Sequence, residues 1–424
     1  MANQAVVSTA PDRRERFRSF LRRFNPSAPA KSVISQGLIC HEGGHSIAQK
    51  LVAGVDLAPG SQQLIVGGVG SGKTTELLLA ERELAATKHV FPIYVDVSAD
   101  TDLTAVTSGS LLTSLGLRAW KEVELRSDIS PQLRNAFQNI KRAADGYYTQ
   151  ILNPDTLNLL AKLAFPGRTI SETLQETTHK SVKIPGKLKP PLSSLQSDVR
   201  TLAEDVNQIL SVLRLGDTEL VIIFDGLDRL IKPDQFWLVA EQDLRALKIQ
   251  NVSVLIAGPL SVMYGQGRQI TDYFDQFHHI PPATTDPKTS PFLFDVLQKR
   301  QIQDFITDLN EVRRLCLASG GVLRDLISLA RSAGENAYLD DSDYVQTPHV
   351  DKAIAQLGNN YLLGLGTEQI HILYDLMQGG GVSPSNSETM ELLITRRILE
   401  RPGSTYEVHP ALVPLLERSS DNPK

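Results

Sequence analysis

Cysteine is scarce. Cys40 and Cys316 are the only two in 424 residues and lie far apart, which excludes a disulfide framework and a cysteine-rich zinc site and suits a reducing compartment. No apolar run approaches the roughly 20 residues a membrane-spanning helix needs. The first residues carry charges where a signal peptide needs an apolar centre. Positive charge is not in excess. The chain has 43 Lys and Arg against 48 Asp and Glu, a net charge of −5, so no global basic field draws it to nucleic acid. A local basic patch is left open. Internal repeats are missing. What remains is the composition of an ordinary globular protein with length for two or three domains, expected in the cytoplasm.

Residues 1–30 read as a leader. Phe17, Phe20, Leu21 and Phe24 fall at i, i+3, i+4 and i+7, one face of a short helix that also carries arginines from Arg13 to Arg23. Such a helix either docks on its own protein with solvated arginines or meets an acidic partner, nucleic acid or a membrane surface. Docking is the expectation. From residue 60 strands alternate with helices. QQLIVGG, HVFPIYVDV, LVIIFDG, NVSVLIAG and a weaker FHHIPPA read as strands, and TTELLLAERELAATK as a helix. That alternation predicts a parallel sheet covered on both faces, over 31–286. The long interval 100–218 reads as a helical insertion, interrupted by the Pro/Lys-rich KIPGKLKPPL at 183–192. Helical patterns at 292–306, 311–318, 322–337 and 348–358 predict an all-helical unit over 287–360. In 361–424, helices TEQIHILYDLM and SETMELLITRRIL, a turn at ERPGS and YEVHPALVPLLE suggest a winged helix-turn-helix.

GGVGSGKTT, from Gly67 to Thr75, satisfies G-x-x-x-x-G-K-[ST], with an apolar strand before it and a helix after it. The glycines Gly67, Gly68, Gly70 and Gly72, with Val69 and Ser71, let backbone N–H groups turn inward on phosphate oxygens. The helix N-terminus adds its dipole, and Thr75 continues that first turn. Lys73 is the compact cation for β- and γ-phosphates, and the Thr74 hydroxyl is a Mg²⁺ ligand. In ELVIIFDGLDRL, Asp225 ends an apolar strand at the edge where parallel sheets bind ligands, and is the Mg²⁺-associated acid. Asp228 follows as the group that positions water, or else as an ion pair with Arg229.

The D-G-L-D of Asp225–Asp228 resembles the STAND branch of P-loop NTPases, which includes the NACHT proteins. CLASGGVLRDLISLARSAGENA resembles the lid of AAA+ proteins, especially those like the origin-recognition complex. The resemblance implies an AAA+/STAND-type α/β P-loop sheet, a helical lid and a C-terminal winged helix, binding ATP and Mg²⁺. It implies that Arg324, in Gly321-Val-Leu-Arg324, acts as a sensor-2 arginine over the γ-phosphate; otherwise Arg324 is a lid-surface arginine. A guanidinium on a separate domain couples domain angle to nucleotide state. YEVHPAL resembles the winged-helix histidine motif of STAND ATPases, which implies that His409 contacts the ADP β-phosphate. Pro410 stands where that motif has Asp, and a histidine buried in the wing is the other reading. The sensor-1 position ends in Ala257-Gly258-Pro259, without a polar group. Arg245 and Arg268 are the conceivable inter-subunit arginine fingers.

The function implied is an ATP-controlled switch with slow ATPase activity that self-associates when activated. The chain ends after the winged helix with neither effector nor sensor array, so the expected effector is a separate protein, as in prokaryotic anti-phage systems by analogy. The alternative is a DNA-binding AAA+ protein using SETMELLITRRILE, in which Arg396 and Arg397, with Arg401 just after, stand against three glutamates. A remote alternative is a zinc peptidase, since HEGGH at 41–45 matches H-E-x-x-H with His41 and His45 as ligands and Glu42 as base. Gly43 and Gly44 weaken the helix this needs, by about 2 kcal/mol together. A protease fold does not fit in the 40 residues before His41 and the 21 between His45 and Gly67. By position, His41 to Leu51 are instead candidates to lie near the adenine. No guanine-reading N-K-x-D is present, and the choice of adenine rests on the resemblance.

Overall fold

The computed structural model describes residues 12–41, 43, 46–100, 103, 106–125, 129–149, 195–214, 216–230, 233–249, 252–264, 270–286, 290–401 and 403–420. The N-terminal half runs α1 (Arg13–Arg23), α2 (Ala30–Ser35), α3 (Ile47–Leu57), β1 (Gln62–Gly67), α4 (Lys73–Ala86), β2 (Val90–Asp96) and α5 (Val97–Asp100). There follow α6 (Ser110–Glu124), α7 (Pro131–Thr149), α8 (Leu195–Leu213) and β3 (Glu219–Asp225). Then come α9 (Pro233–Val239), α10 (Arg245–Ile249), β4 (Ser253–Gly258) and β5 (Gln276–Ile280).

These strands form one parallel sheet in the order β2-β3-β4-β1-β5. Successive residues of a strand face opposite sides, and the apolar runs fill both. Ile65, Val221, Ile223, Leu255 and Ala257 pack against α3 and α4. Leu64, Ile222, Phe224, Val254 and Ile256 pack against the layer that includes α6 and α8. The described helices of the 100–218 interval belong to this layer. α6 and α8 are the cover of one sheet face, with Val206 and Ile209 of α8 buried beside Leu111 and Leu115 of α6. α7 packs outside them, where Phe137 stacks on Trp120 at 4.2 Å. The KIPGKLKPPL stretch lies outside the described residues.

The lid comprises α11 (Phe292–Lys299), α12 (Leu309–Ala318), α13 (Leu323–Leu339) and α14 (Thr347–Leu362). α1 belongs to it. Phe17 and Phe20 of α1 and Phe24 just after it are fully buried in the lid core, with Phe20 against Phe305 at 4.4 Å between ring centres. Gly334 admits this: a Cβ there would stand 2.2 Å from the Phe20 ring. Arg13 lies over the Tyr338 ring at 4.7 Å and donates to its carbonyl at 3.0 Å. The expectation of docking therefore describes α1.

The C-terminal unit comprises α15 (Thr367–Met377), α16 (Ser387–Ile394), the antiparallel pair β6 (Ile398–Arg401) and β7 (Thr405–Val408), and α17 (Val413–Ser420). This is the winged helix, with Gly403 and Ser404 in the turn of its wing. α16 ends earlier than its sequence pattern suggests. Among the described residues no helix is long and apolar enough to cross a membrane.

Candidate functional site

β1 delivers the P-loop to the C-terminal edge of the sheet, and α4 begins at Lys73. Two positions require glycine. Gly70 and Gly72 hold φ of +87° and +104°, in the region disfavoured for residues with a Cβ. The turn draws Lys73 back over the loop, where its side chain is buried. Nζ donates to the carbonyls of Gly67 and Gly68 at 2.8 and 2.9 Å and pairs with Asp228 Oδ2 at 3.0 Å. Burial lowers the Lys73 pKa, and the Asp228 charge opposes that. Asp228 thus sits at the tip of the P-loop lysine rather than pairing with Arg229.

Asp225 accepts from the Tyr94 hydroxyl at 2.6 Å and from the Gly226 N–H at 2.8 Å, with the Thr74 hydroxyl as a further partner. Burial raises its pKa, against those hydrogen bonds. A hydroxyl on the first turn of α4 and a carboxylate at the end of β3, already in contact, fit the oxygen-donor pair a Mg²⁺ ion takes. Tyr94 was not marked by the sequence. It stands on β2 beside β3, opposite Ile223 in register, so its hydroxyl reaches the acid. Gly226 is glycine where a second acid could have stood. It has φ +91°, and a Cβ would come within 2.7 Å of Ser98 Cβ.

Arg324, at the start of α13, reaches the loop from the lid. A Cβ on Gly70 would stand 2.7 Å from Arg324 Cβ and 3.2 Å from its Nε. Burial lowers its pKa, followed by repulsion from Arg396 and Arg229. Arg324, Arg396 and Arg229 thus line the same cleft as the lysine. Arg396 comes from the winged helix. Its stem lies 3.8 Å from a Cβ built on Gly68, and it pairs with Asp325 at 3.0 Å.

His409 stands elsewhere than implied. It is fully buried in the wing and does not line the cleft. Its Nε2 is 3.4 Å from Asp325 Oδ2, its Nδ1 accepts from Ala411 N–H at 3.2 Å, and its ring lies 4.5 Å from that of Tyr361. Direct contact with a phosphate is replaced by contact with the carboxylate that holds Arg396.

The candidate DNA-reading helix also changes. α16 carries Glu388 and Glu391 but neither Lys nor Arg. Arg396 turns into the cleft. Arg397 donates to the carbonyls of Tyr361 and Leu363, and Arg401, on the wing, to Glu407 and the Ala283 carbonyl. None of the three is presented by the helix.

Of HEGGH, His41 and Gly43 are described, and neither lies in a helix. α3 begins at Ile47, behind a capping box in which Ser46 Oγ accepts from Gln49 N–H and Gln49 Oε1 from Ser46 N–H. His41 is exposed, 3.9 Å from Glu76; Glu42, Gly44 and His45 lie outside the described residues. No group of three metal-binding side chains occurs among the described residues. His41, Ser46, Ile47 and Lys50 line the same cleft as the P-loop, whose volume is about 1340 Å³. At the sensor-1 position a Cβ on Gly258 would meet Leu64 at 2.8 Å and Phe236 at 3.1 Å, so packing sets that residue. Arg245 is exposed on α10, which leads into the opposite, N-terminal end of β4. Arg268 lies outside the described residues.

Sheet, P-loop, helical lid and winged helix follow one another as in AAA+ P-loop proteins. No family model matches the sequence, and no curated protein matches it. Among solved structures the chain is similar to the ORC2 protein of Aeropyrum pernix in ADPNP–ADP complexes, at 13% identity and a TM-score of 0.44, over 95% of this chain and 98% of that one. It is similar to Drosophila ORC bound to DNA, at 11% identity and 0.42, over 99% and 95%. It is also similar to Cdc6p of Pyrobaculum aerophilum, at 13% and 0.40, over 94% and 98%. Likenesses this distant leave the site to be read from this chain's own residues.

Proposed function

We propose that this chain is an ATP- and Mg²⁺-dependent P-loop ATPase that works as a slow switch. The carrying observation is that Lys73, Arg324 and Arg396, from three separate units, converge on one glycine loop. Cations so crowded suit a ligand with several negative charges on adjacent groups, and the P-loop supports a nucleoside triphosphate. In this reading the loop amides from Gly67 to Thr75 and Lys73 hold phosphates. Thr74 and Asp225 hold Mg²⁺, which neutralises phosphate charge. Asp228 leaves Lys73 when phosphate arrives and orients the attacking water. Arg324 reads the terminal phosphate from the lid. Adenine lies toward α3.

Nucleotide occupancy then sets the angle between sheet, lid and wing, and one arrangement self-associates or engages a separate effector. A conflict-system role such as phage defence remains an analogy within this proposal. The acidic α16, with its neighbouring arginines directed inward, favours the switch over DNA reading.

The test is ATP affinity, phosphate release and solution mass for the full chain with Mg²⁺. Lys73→Ala is expected to abolish ATP binding. Asp228→Asn is expected to retain binding and lose turnover. Wild-type ATP affinity in Lys73→Ala would sink the proposal, and an unchanged mass between ADP and ATP states would remove self-association from it.

A further inference from the structure

Arg396 is the cleft residue that no motif marks. It lies in the turn between α16 and β6, with a left-handed φ of +65° that residues with a Cβ rarely adopt. This turn aims the side chain at the sheet domain. The stem runs beside Gly68, where a Cβ would touch it at 3.8 Å, and Lys73 Nζ ends on the carbonyl of that same Gly68 at 2.9 Å. The wing arginine and the P-loop lysine therefore meet the loop at one residue. Arg324 meets it two residues further on, at Gly70.

The present partner of Arg396 is Asp325 Oδ1, at 3.0 Å. Asp325 has other partners on its second oxygen. Oδ2 accepts from the Tyr361 hydroxyl at 2.5 Å and faces His409 Nε2 at 3.4 Å. The buried carboxylate would keep two contacts if Arg396 left it. Arg324 and Asp325 are consecutive on α13, one directed to the loop and one to the wing.

We infer that Arg396 is a ligand-contacting residue, whose guanidinium exchanges Asp325 for the outermost phosphate of a nucleoside triphosphate held in the P-loop. This rests on the reading above and deepens it. A guanidinium makes the same paired hydrogen bonds to carboxylate and to phosphate, so the exchange preserves its geometry. A terminal phosphate carries more charge than a carboxylate and wins the competition. A diphosphate ends short of the Lys73 tip and leaves Arg396 on Asp325. The presence of the third phosphate would thereby be reported to the winged helix by the winged helix's own side chain, with Asp325, Tyr361 and His409 as the resting seat.

The experiment is calorimetric titration of the full chain with ATP and with ADP, for wild type, Arg396→Gln and Arg396→Lys, with thermal melts to verify folding. Arg396→Gln is expected to weaken ATP about ten- to hundredfold, the loss of one or two charge-assisted hydrogen bonds. ADP is expected to stay within about threefold, since the diphosphate makes no such bond. Arg396→Lys, which keeps charge but loses the fork, is expected to fall between. An ATP-to-ADP affinity ratio equal to wild type in the variants overturns the inference. Should Arg396→Gln fail to fold, the same ratio in Arg396→Lys decides. A wild-type chain that binds neither nucleotide defeats the underlying ATPase reading as well; one that binds both while Arg396 variants keep its ratio defeats only the role of Arg396.

Discussion

Gly321 opens the stretch that carries Arg324, and replacing it by alanine separates two costs that are usually confounded. Its φ is +81°, and a Cβ there would stand 1.9 Å from the Ala283 carbonyl oxygen, in the connection from β5 to the lid. A carbon–oxygen contact wants about 3.3 Å, so the connection must move by more than ~1 Å. The hydrogen bond from Ala283 N–H to the Gly321 carbonyl, 2.9 Å, then breaks. Losing it and stranding its groups costs about 1–3 kcal/mol. The left-handed conformation adds roughly 1–2 kcal/mol, and the stiffer unfolded chain returns about 0.4–1 kcal/mol. The expected loss for Gly321→Ala is about 3 kcal/mol. Gly364 supplies the control. Its φ is +79°, and a Cβ there meets nothing within 4 Å, so only the conformational term applies, about 1 kcal/mol. Hydrogen exchange of the α13 amides measures the lid's opening free energy, and phosphate release measures the displacement of Arg324. Equal losses in both variants would refute the assignment of Gly321 as the contact fixing the lid to the sheet domain.

Asp325 gives a pH dependence. Burial pushes its pKa up, but His409, Arg396 and Tyr361 together hold it below the ordinary carboxylate range. A depressed folded pKa means stability present above the unfolded value, near 3.9, and lost as pH falls through the folded one. The melting difference between wild type and Asp325→Asn is therefore expected at pH 7 and to shrink in strong acid; a constant difference would show that its ionisation does not matter. For the leader, Phe20→Ala is expected to weaken docking of α1 by about 3–5 kcal/mol, the usual range for a buried phenylalanine. Trypsin should then cut among its arginines much faster, and an unchanged cleavage rate would mean α1 does not depend on that ring.

The parts of the site legible in the sequence are those whose chemistry is contiguous. Gly67 to Thr75 is one loop, and Asp225 is one strand end. The strands were legible because both sheet faces are buried, which leaves unbroken apolar runs such as Val221–Phe224. The lid's helices follow their 3.6 period. HEGGH shows the limit of a spacing match: a capping serine at Ser46 starts the helix after the motif instead of through it. α6 and α8 were legible as helices but not as sheet cover, because amphipathicity says that a face is buried and not against what. Arg396 and Asp325 lie 71 positions apart in the chain and meet only through the wing's turn. Nothing in T-R-R distinguishes the arginine that enters the cleft from Arg397, which caps carbonyls on α14 and just beyond it. His409 was marked by its motif, but its partner was not, and the partner changes what it does.

The arrangement of charge gives the switch reading its direction. Lys73 leans on Asp228, and Arg396 on Asp325, while Arg324 and Arg229 face the same cleft and repel. The two carboxylates hold cations on different units: Asp228 keeps the lysine within the sheet domain, whereas Asp325 ties the wing to the lid. A polyanion entering the loop competes for both at once. It draws Lys73 from Asp228 locally, which frees that acid toward the reacting centre. It also draws together Arg324 and Arg396, which like-charge repulsion otherwise opposes. Occupancy and domain closure are then coupled through the same few groups. The coupling is reciprocal: whatever pulls the wing away removes one cation from the phosphates and weakens their binding by the same factor. Anything that holds the winged helix away would therefore weaken triphosphate binding in particular, without touching the P-loop.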